Sequence, residues 1–144
     1  MTDCVFCAIV DDEIPSHTVY EDDAVLAFLD ANPLAPGHTL VVPKAHHERL
    51  NDLPADRASR VFAAVHALVP AVEEAVDADA TTVGFNNGTA AGQEVPHVHA
   101  HVVPRFDGDG GGPIHAAMGT RPDLSDEELA DVAASIGERA SVDR

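Results

Sequence analysis

The chain has 144 residues, 45% of them apolar, with 25 acidic against 8 basic side chains and a net charge of −17. That length fits one domain, 1–144, with a core that needs no disulfide staples. No apolar run reaches the roughly 18 residues of a membrane helix, and the N-terminus has neither the basic nor the apolar stretch of a signal peptide, so a soluble cytoplasmic protein without membrane contact is expected.

The charge also argues against nucleic acid as a partner, because binding its backbone takes Lys and Arg, and Lys44 is the single lysine. Asp outnumbers Glu, 16 to 9, and with so little lysine the balance reads as the acidic coat of a protein adapted to molar salt, as in a halophilic archaeon. At such salt the Debye length of about 3 Å screens self-repulsion.

In chain order, Phe6 to Val10 is expected as a short helix. Thr18 to Glu21 and Ala24 to Leu29 are expected as strands around the turn Asp22-Asp23. The segment from Asn32 to Gly37 is a loop by its prolines and glycine, and Thr39 to Val42 is a short buried strand ending at Pro43. Pro54 opens the clearest helix, with Ala58, Val61, Phe62, Val65, Leu68, Val69, Val72 and Val76 on one face and a kink expected near Pro70.

Thr82 to Asn86 is the next strand. A Gly/Asn loop then leads into a strand from Val95 to Pro104 that carries three histidines. Residues 107–112 read as a flexible loop. The last helix starts with Ser125 and Glu128 in capping-box spacing and has Leu129, Val132, Ala133 and Ile136 on its apolar side. The order β-β-β-α-β-β-α predicts an α+β fold on a mainly antiparallel five-stranded sheet, with one long helix and a C-terminal helix.

On a strand, residues i, i+2 and i+4 share a face, so His97, His99 and His101 project together while Val98, Ala100 and Val102 face the other way. Three imidazoles on one side either bind one metal or divide separate roles. Same-face neighbours lie roughly 6–7 Å apart, whereas ligands of a single metal need nitrogens about 3 Å apart, so divided roles suit a strand better.

The loop just upstream has the make-up of a phosphate cradle. Gly88 and Gly92 allow the backbone to turn amides toward an anion, and Asn86, Asn87, Thr89 and Gln93 add neutral donors. A neutral imidazole beside it can attack phosphorus and later leave, splitting one displacement into two. Cys4 and Cys7, in CxxC spacing, are a metal half-site, a redox pair or a coincidence.

These residues resemble the histidine-triad (HIT) family, whose signature His-φ-His-φ-His-φ-φ is matched at every position by His97 to Val103. The likeness extends through Ile14-Pro15, Tyr20 to Asp22, Leu26 to Asp30, Gly37 to His46 and Asn86 to Gln93. It covers roughly residues 4 to 106, with a C-terminal loop and helix over 107–144, and is closest to the Hint-like, zinc-containing branch.

The resemblance implies a homodimer and a hydrolase or transferase acting at the α-phosphate of a purine nucleotide. His99 would be the nucleophile that becomes nucleotidylated, and His101 would bond the phosphate or the leaving group. Asn86, Gln93 and the backbone at Gly92 would hold phosphate oxygens, Asp30 the ribose hydroxyls, and Phe6, Ile9 and Phe28 the base. It further implies a structural Zn2+ on Cys4, Cys7, His46 and His97, a closed Cys2His2 set.

A phosphoramidate or AMP adduct is the first substrate reading. A dinucleoside polyphosphate hydrolase and a nucleotide-binding protein with vestigial activity are the alternatives. The family often has Ser after the glutamine where this chain has Glu94, which leaves only a backbone N–H for that contact. His17, His38, His66 and His115 are expected to be non-catalytic, although family position would allow His38 near the site, and Arg105 is expected either near phosphate or in a surface ion pair.

Overall fold

The computed structural model describes residues 3–142, and the chain falls into two compact units, 1–111 and 112–144, each taken here by itself. In the first unit α1 (Val5–Val10) is followed by three strands, β1 (Thr18–Glu21), β2 (Val25–Leu29) and β3 (Thr39–Pro43). Then come α2 (Ala55–Val76), β4 (Ala80–Gly84) and β5 (Ala100–Arg105). The strands form one sheet in the order β1-β2-β3-β5-β4, antiparallel at every pairing. The α+β class and five-stranded antiparallel sheet expected from the sequence are the ones observed.

Local chemistry sets the ends of these elements. Asp22 closes the β1–β2 turn by accepting the N–H groups of Ala24 and Val25, each at 2.8 Å, and Tyr20 donates its hydroxyl to the same carboxylate. α2 continues through Pro70, whose ring removes only the N–H that would reach the His66 carbonyl, and it ends at Asp77 in a left-handed conformation.

The sheet sorts its side chains by parity. Val25 and Ala27 of β2, Val41 of β3, and Ala100 and Val102 of β5 pack on one side against Val61, Ala64, Val65, Leu68 and Val72 of α2. Leu26, Phe28, Leu40 and Val42 point to the other side, where Cys4 and Phe6 cover them. Coverage of both faces explains why β2 and β3 read as continuous apolar runs rather than as alternating ones.

Three expectations shift. Phe62, placed on the core stripe, is 50% exposed and packs instead against the Phe85 ring at 5.6 Å. The fourth strand runs from Ala80 to Gly84, two residues earlier than expected. The histidine strand begins only at Ala100, so His97 and His99 precede it. Pro96 has no N–H to give a ladder, and the Val98 N–H bonds the His47 carbonyl at 2.8 Å rather than a strand partner.

In the second unit α3 (Asp126–Arg139) starts on the Ser125–Glu128 capping box, with both reciprocal bonds formed, as the spacing predicts. Its apolar residues Leu129, Val132 and Ile136 are exposed within that unit.

Candidate active site and metal centre

The second side of the sheet carries the chemistry. The segment from His97 to His101 stays extended enough for its odd residues to share that side. Phe6 meets the His97 and His99 rings edge-on, with centroids 5.9 and 5.0 Å away, and the His99 and His101 centroids are 4.9 Å apart. His97 is wholly buried and His99 is 8% exposed. A cavity of about 740 Å³ opens here, lined by Phe6, Ile9, Phe28, Asp30, His38, Asn86, Gly92, Glu94, His99 and His101 among others.

Hydrogen bonds fix the tautomers. A carbonyl can only accept, so His99 donates Nδ1–H to the His97 carbonyl at 2.8 Å, and in the neutral form of this cavity-lining ring the lone pair lies on Nε2. The Leu34 N–H donates to His38 Nδ1 at 3.1 Å, so the His38 proton sits on Nε2 and is donated to His101 Nδ1 at 3.0 Å. His101 therefore carries its own proton on Nε2. One ring offers a lone pair and its neighbour offers a donor.

Burial keeps the donor ring neutral. Desolvation, and then the prospect of positive charge on His99 and His38, push the His101 pKa down to about 4. Burial likewise lowers His38, with His99 adding to the effect and Asp30 opposing it. The Asp30 carboxylate is 3.7 Å from His38 Nε2, and its other oxygen accepts the Asn32 N–H.

Sequence reasoning allowed His38 a place near the site by family position only and gave it no role. It lies two residues before Leu40, which pairs with His101 across the β3–β5 ladder, so period-two geometry puts both histidines on one face. Only the strand register reveals this. His17, also expected to be idle, lines the cavity as well.

The Gly/Asn loop is arranged differently from the expected cradle. The Gln93 amide is spent inside the loop: Oε1 accepts the Gly88 N–H at 2.7 Å, and Nε2 donates to the Glu48 and Val95 carbonyls at 2.7 and 2.9 Å. The N–H groups of Ala91, Gly92 and Gln93 bond carbonyls of the same loop. Gly88 and Gly92 hold φ of +102° and +93°, which this tight turn requires and side chains resist. Asn86 and Gly92 line the cavity, whereas Gln93 is not among its lining residues. Among the described residues no hydrogen bond engages the Glu94 N–H. Arg105 is held by Asp109 and Thr82, the ion-pair outcome of the two expected for it.

The four expected metal ligands come together at the other end of the histidine segment. Cys4 Sγ, Cys7 Sγ, His46 Nδ1 and His97 Nδ1 all lie within 4.8 Å of one another. The two nitrogens are 3.2 Å apart, Cys7 Sγ is 3.2 Å from His46 Nδ1 and 3.5 Å from His97 Nδ1, and Cys4 Sγ is 3.4 Å from His97 Nδ1. A tetrahedral zinc with bonds of about 2.0 Å to nitrogen and 2.3 Å to sulfur needs roughly 3.3 Å between nitrogens and 3.5 Å between nitrogen and sulfur, so the donor set fits. His97 Nε2–H bonds the Pro43 carbonyl at 2.8 Å, which leaves Nδ1 unprotonated toward the sulfurs.

The molecule is thus an α+β protein with a pair of imidazoles lining one cleft of its sheet. Comparison with known proteins gives that class its family. The HIT domain profile matches residues 11–108, and the chain belongs to the HIT family.

An uncharacterised HIT-like protein of Methanocaldococcus jannaschii is 49% identical over 107 residues, 74% of this chain and 82% of that one. The adenylylsulfatase HINT3 of Arabidopsis thaliana is 40% identical over 74% of this chain and 54% of its own length. The adenosine 5'-monophosphoramidase HNT1 of Saccharomyces cerevisiae is 39% identical over 72% of this chain and 63% of its own.

Among solved structures, a Streptococcus mutans protein superposes with a TM-score of 0.87 at 37% identity, covering 96% of this chain and 86% of that one. A Zn-bound histidine triad protein of Mycobacterium smegmatis gives 0.72 at 35% identity, covering 96% and 98%.

Proposed function

We propose that the protein is a nucleotide hydrolase or transferase that attacks the α-phosphorus of a purine nucleotide, a phosphoramidate or AMP adduct, through His99. The observation that carries this reading is the His99 Nδ1–H bond to the His97 carbonyl, which makes Nε2 the nucleophilic nitrogen of a cavity-lining ring. Nε2 forms a bond to phosphorus as the bond from phosphorus to the leaving group breaks. Water then displaces the imidazole and regenerates it. His101 Nε2–H, held in that tautomer by His38, donates a hydrogen bond to a phosphate oxygen or the leaving atom.

The Asn86 side chain and the Glu94 N–H hold the other phosphate oxygens, while Gln93 and the Gly92 turn fix the loop that presents them. Phe6, Ile9 and Phe28 take the base and Asp30 the ribose hydroxyls, in keeping with their places around the cavity. The names of two relatives, an AMP phosphoramidase and an adenylylsulfatase, favour attack next to adenosine.

The test is cleavage of an AMP amidate by the purified protein, with acid-labile AMP trapped on His99 in a rapid quench. Failure to cleave, or cleavage undiminished in His99→Ala, overturns the reading.

Cys4, Cys7, His46 and His97 would hold a structural zinc, supported by the fit of the donor set and by the Zn-bound relative. Such an ion would tie the N-terminal helix to the segment that orients His99 and supply no step of the reaction. About one zinc per chain by elemental analysis is the expected result for one four-ligand site.

The sheet-edge strand β4, with Val83 and the α2 residue Phe62 exposed beside it, supports a homodimer through that edge. Light scattering should report twice the chain mass, and Phe62→Glu should lower it. The acidic coat supports life in high salt, and a melting temperature that rises with KCl into the molar range is the expected sign.

A further inference from the structure

Among the described residues the cavity is lined without a cationic lysine or arginine. Its lining has two carboxylates, Asp30 and Glu94. Asp30 is engaged, close to His38 and bonded to the Asn32 N–H. Glu94 is different. Among the described residues it makes no ion pair and no hydrogen bond, and its side chain is exposed at the cavity wall.

Nor is its stretch of backbone loose. Gln93 just before it is anchored through three hydrogen bonds, and Val95 just after it packs with the cluster under α1. The Glu94 backbone is therefore held in place, and the residue lines the cavity together with Gly92 and Asn86.

Resting on the reading of this cavity as a nucleotidyl-transfer site, we infer that Glu94 is a charge filter for the leaving group, favouring adducts whose departing group is an amine bearing positive charge over those that release an anionic polyphosphate. The physics is direct. The phosphate is held by neutral donors, the His101 imidazole, an amide and an N–H, so nothing in the wall offsets additional negative charge. A carboxylate at the wall of such a site shifts an equilibrium about fivefold to tenfold for each unit of charge on the ligand, in opposite directions for cation and anion. Salt weakens the effect, since the screening length falls from about 10 Å at 0.1 M to about 3 Å at 1 M.

The experiment compares wild type with Glu94→Gln, Glu94→Ser and Glu94→Asp, at the lowest salt where circular dichroism shows the fold intact. Three probes share the AMP half: an amidate of a diamine with one free ammonium, an amidate of a neutral amine, and diadenosine tetraphosphate. Both kcat/KM and the dissociation constants measured by calorimetry in a His99→Gln background are read.

The expected result is that Gln and Ser raise the tetraphosphate-to-diamine ratio at least tenfold in both readouts, that Asp largely restores the wild-type ratio, and that the change shrinks as KCl rises. An unchanged ratio in Gln and Ser overturns the filter while turnover of the neutral amidate leaves the reaction intact. Charge-dependent binding without turnover in any protein overturns the reaction and leaves the filter standing. Absence of binding by all three probes overturns both.

Discussion

The two sides of the sheet are made of the same strands and do opposite work. On the α2 side the inward residues of β2, β3 and β5 are apolar apart from Thr39, and Val25, Ala27, Val41, Ala100 and Val102 are essentially without solvent contact. On the α1 side the apolar cluster is smaller, and three of the buried side chains next to it, His38, His97 and His99, are imidazoles. Moving by one residue along β5, from Ala100 to His101, crosses from a filled core to a wall of the cavity. The short helix α1 covers only part of its face, and the uncovered part is the site. Apolar packing is thus concentrated on one side and polar chemistry on the other.

Substitutions can break that division. The largest effect should come from His99→Ala, with at least about a thousandfold loss of turnover and little change in melting temperature, because the nucleophile has no substitute. Next comes Leu68→Ala on the opposite side, which removes buried methyl groups and should cost about 2–4 kcal/mol in urea unfolding while kcat of the folded fraction is kept. A large stability loss in the first or a large kcat loss in the second would mean that the two sides are mechanically one.

A third test sits between them. Gln93→Ala leaves the Gly88 N–H and the Glu48 and Val95 carbonyls without their partner. It should raise KM several-fold as the loop loosens, with a stability loss of about 1–3 kcal/mol from the partly buried groups left unpaired. A pure kcat defect with normal KM would instead place the Gln93 amide on the phosphate.

Much of this division was legible in the sequence because both of its signals are periodic. The α2 stripe from Val61 to Val72 and the His-x-His-x-His spacing each follow from the geometry of a single element. Phe62 was misplaced because a stripe read at 3.6 residues is broad, and only the packed sheet shows where it ends. The start of β5 was placed too early because the histidines keep the alternation before the ladder begins, while Pro96 prevents the pairing. His38 needed the β3–β5 register, which no local pattern contains. Gln93 looked like a ligand because a side-chain amide suits phosphate and loop backbone equally well. Cys4 and Cys7 showed half of a metal site by spacing, but their nearness to His46 and His97 is a matter of fold.

The smallest expected effect concerns pH and tests whether the chemical side lowers stability. His101 keeps its ring neutral until about pH 4, and burial lowers the His38 value as well, whereas in the unfolded chain both titrate near the ordinary value of 6.5. Between those limits the unfolded state takes up protons that the folded state refuses. Stability from this pair is therefore constant above about pH 7 and falls as the pH drops from 6.5 toward 4, with a slope of at most about 1.4 kcal/mol per pH unit for each histidine. In His101→Gln one of those protons is gone, so the unfolding midpoint in urea should fall less steeply over that interval than in wild type, and the two curves should run parallel above pH 7. Equal slopes below 6.5 would mean that the His101 ring accepts its proton in the folded state. It would then lose its place as the neutral donor beside His99, and the asymmetry between a stabilising and a reactive side would have to rest on His99 alone.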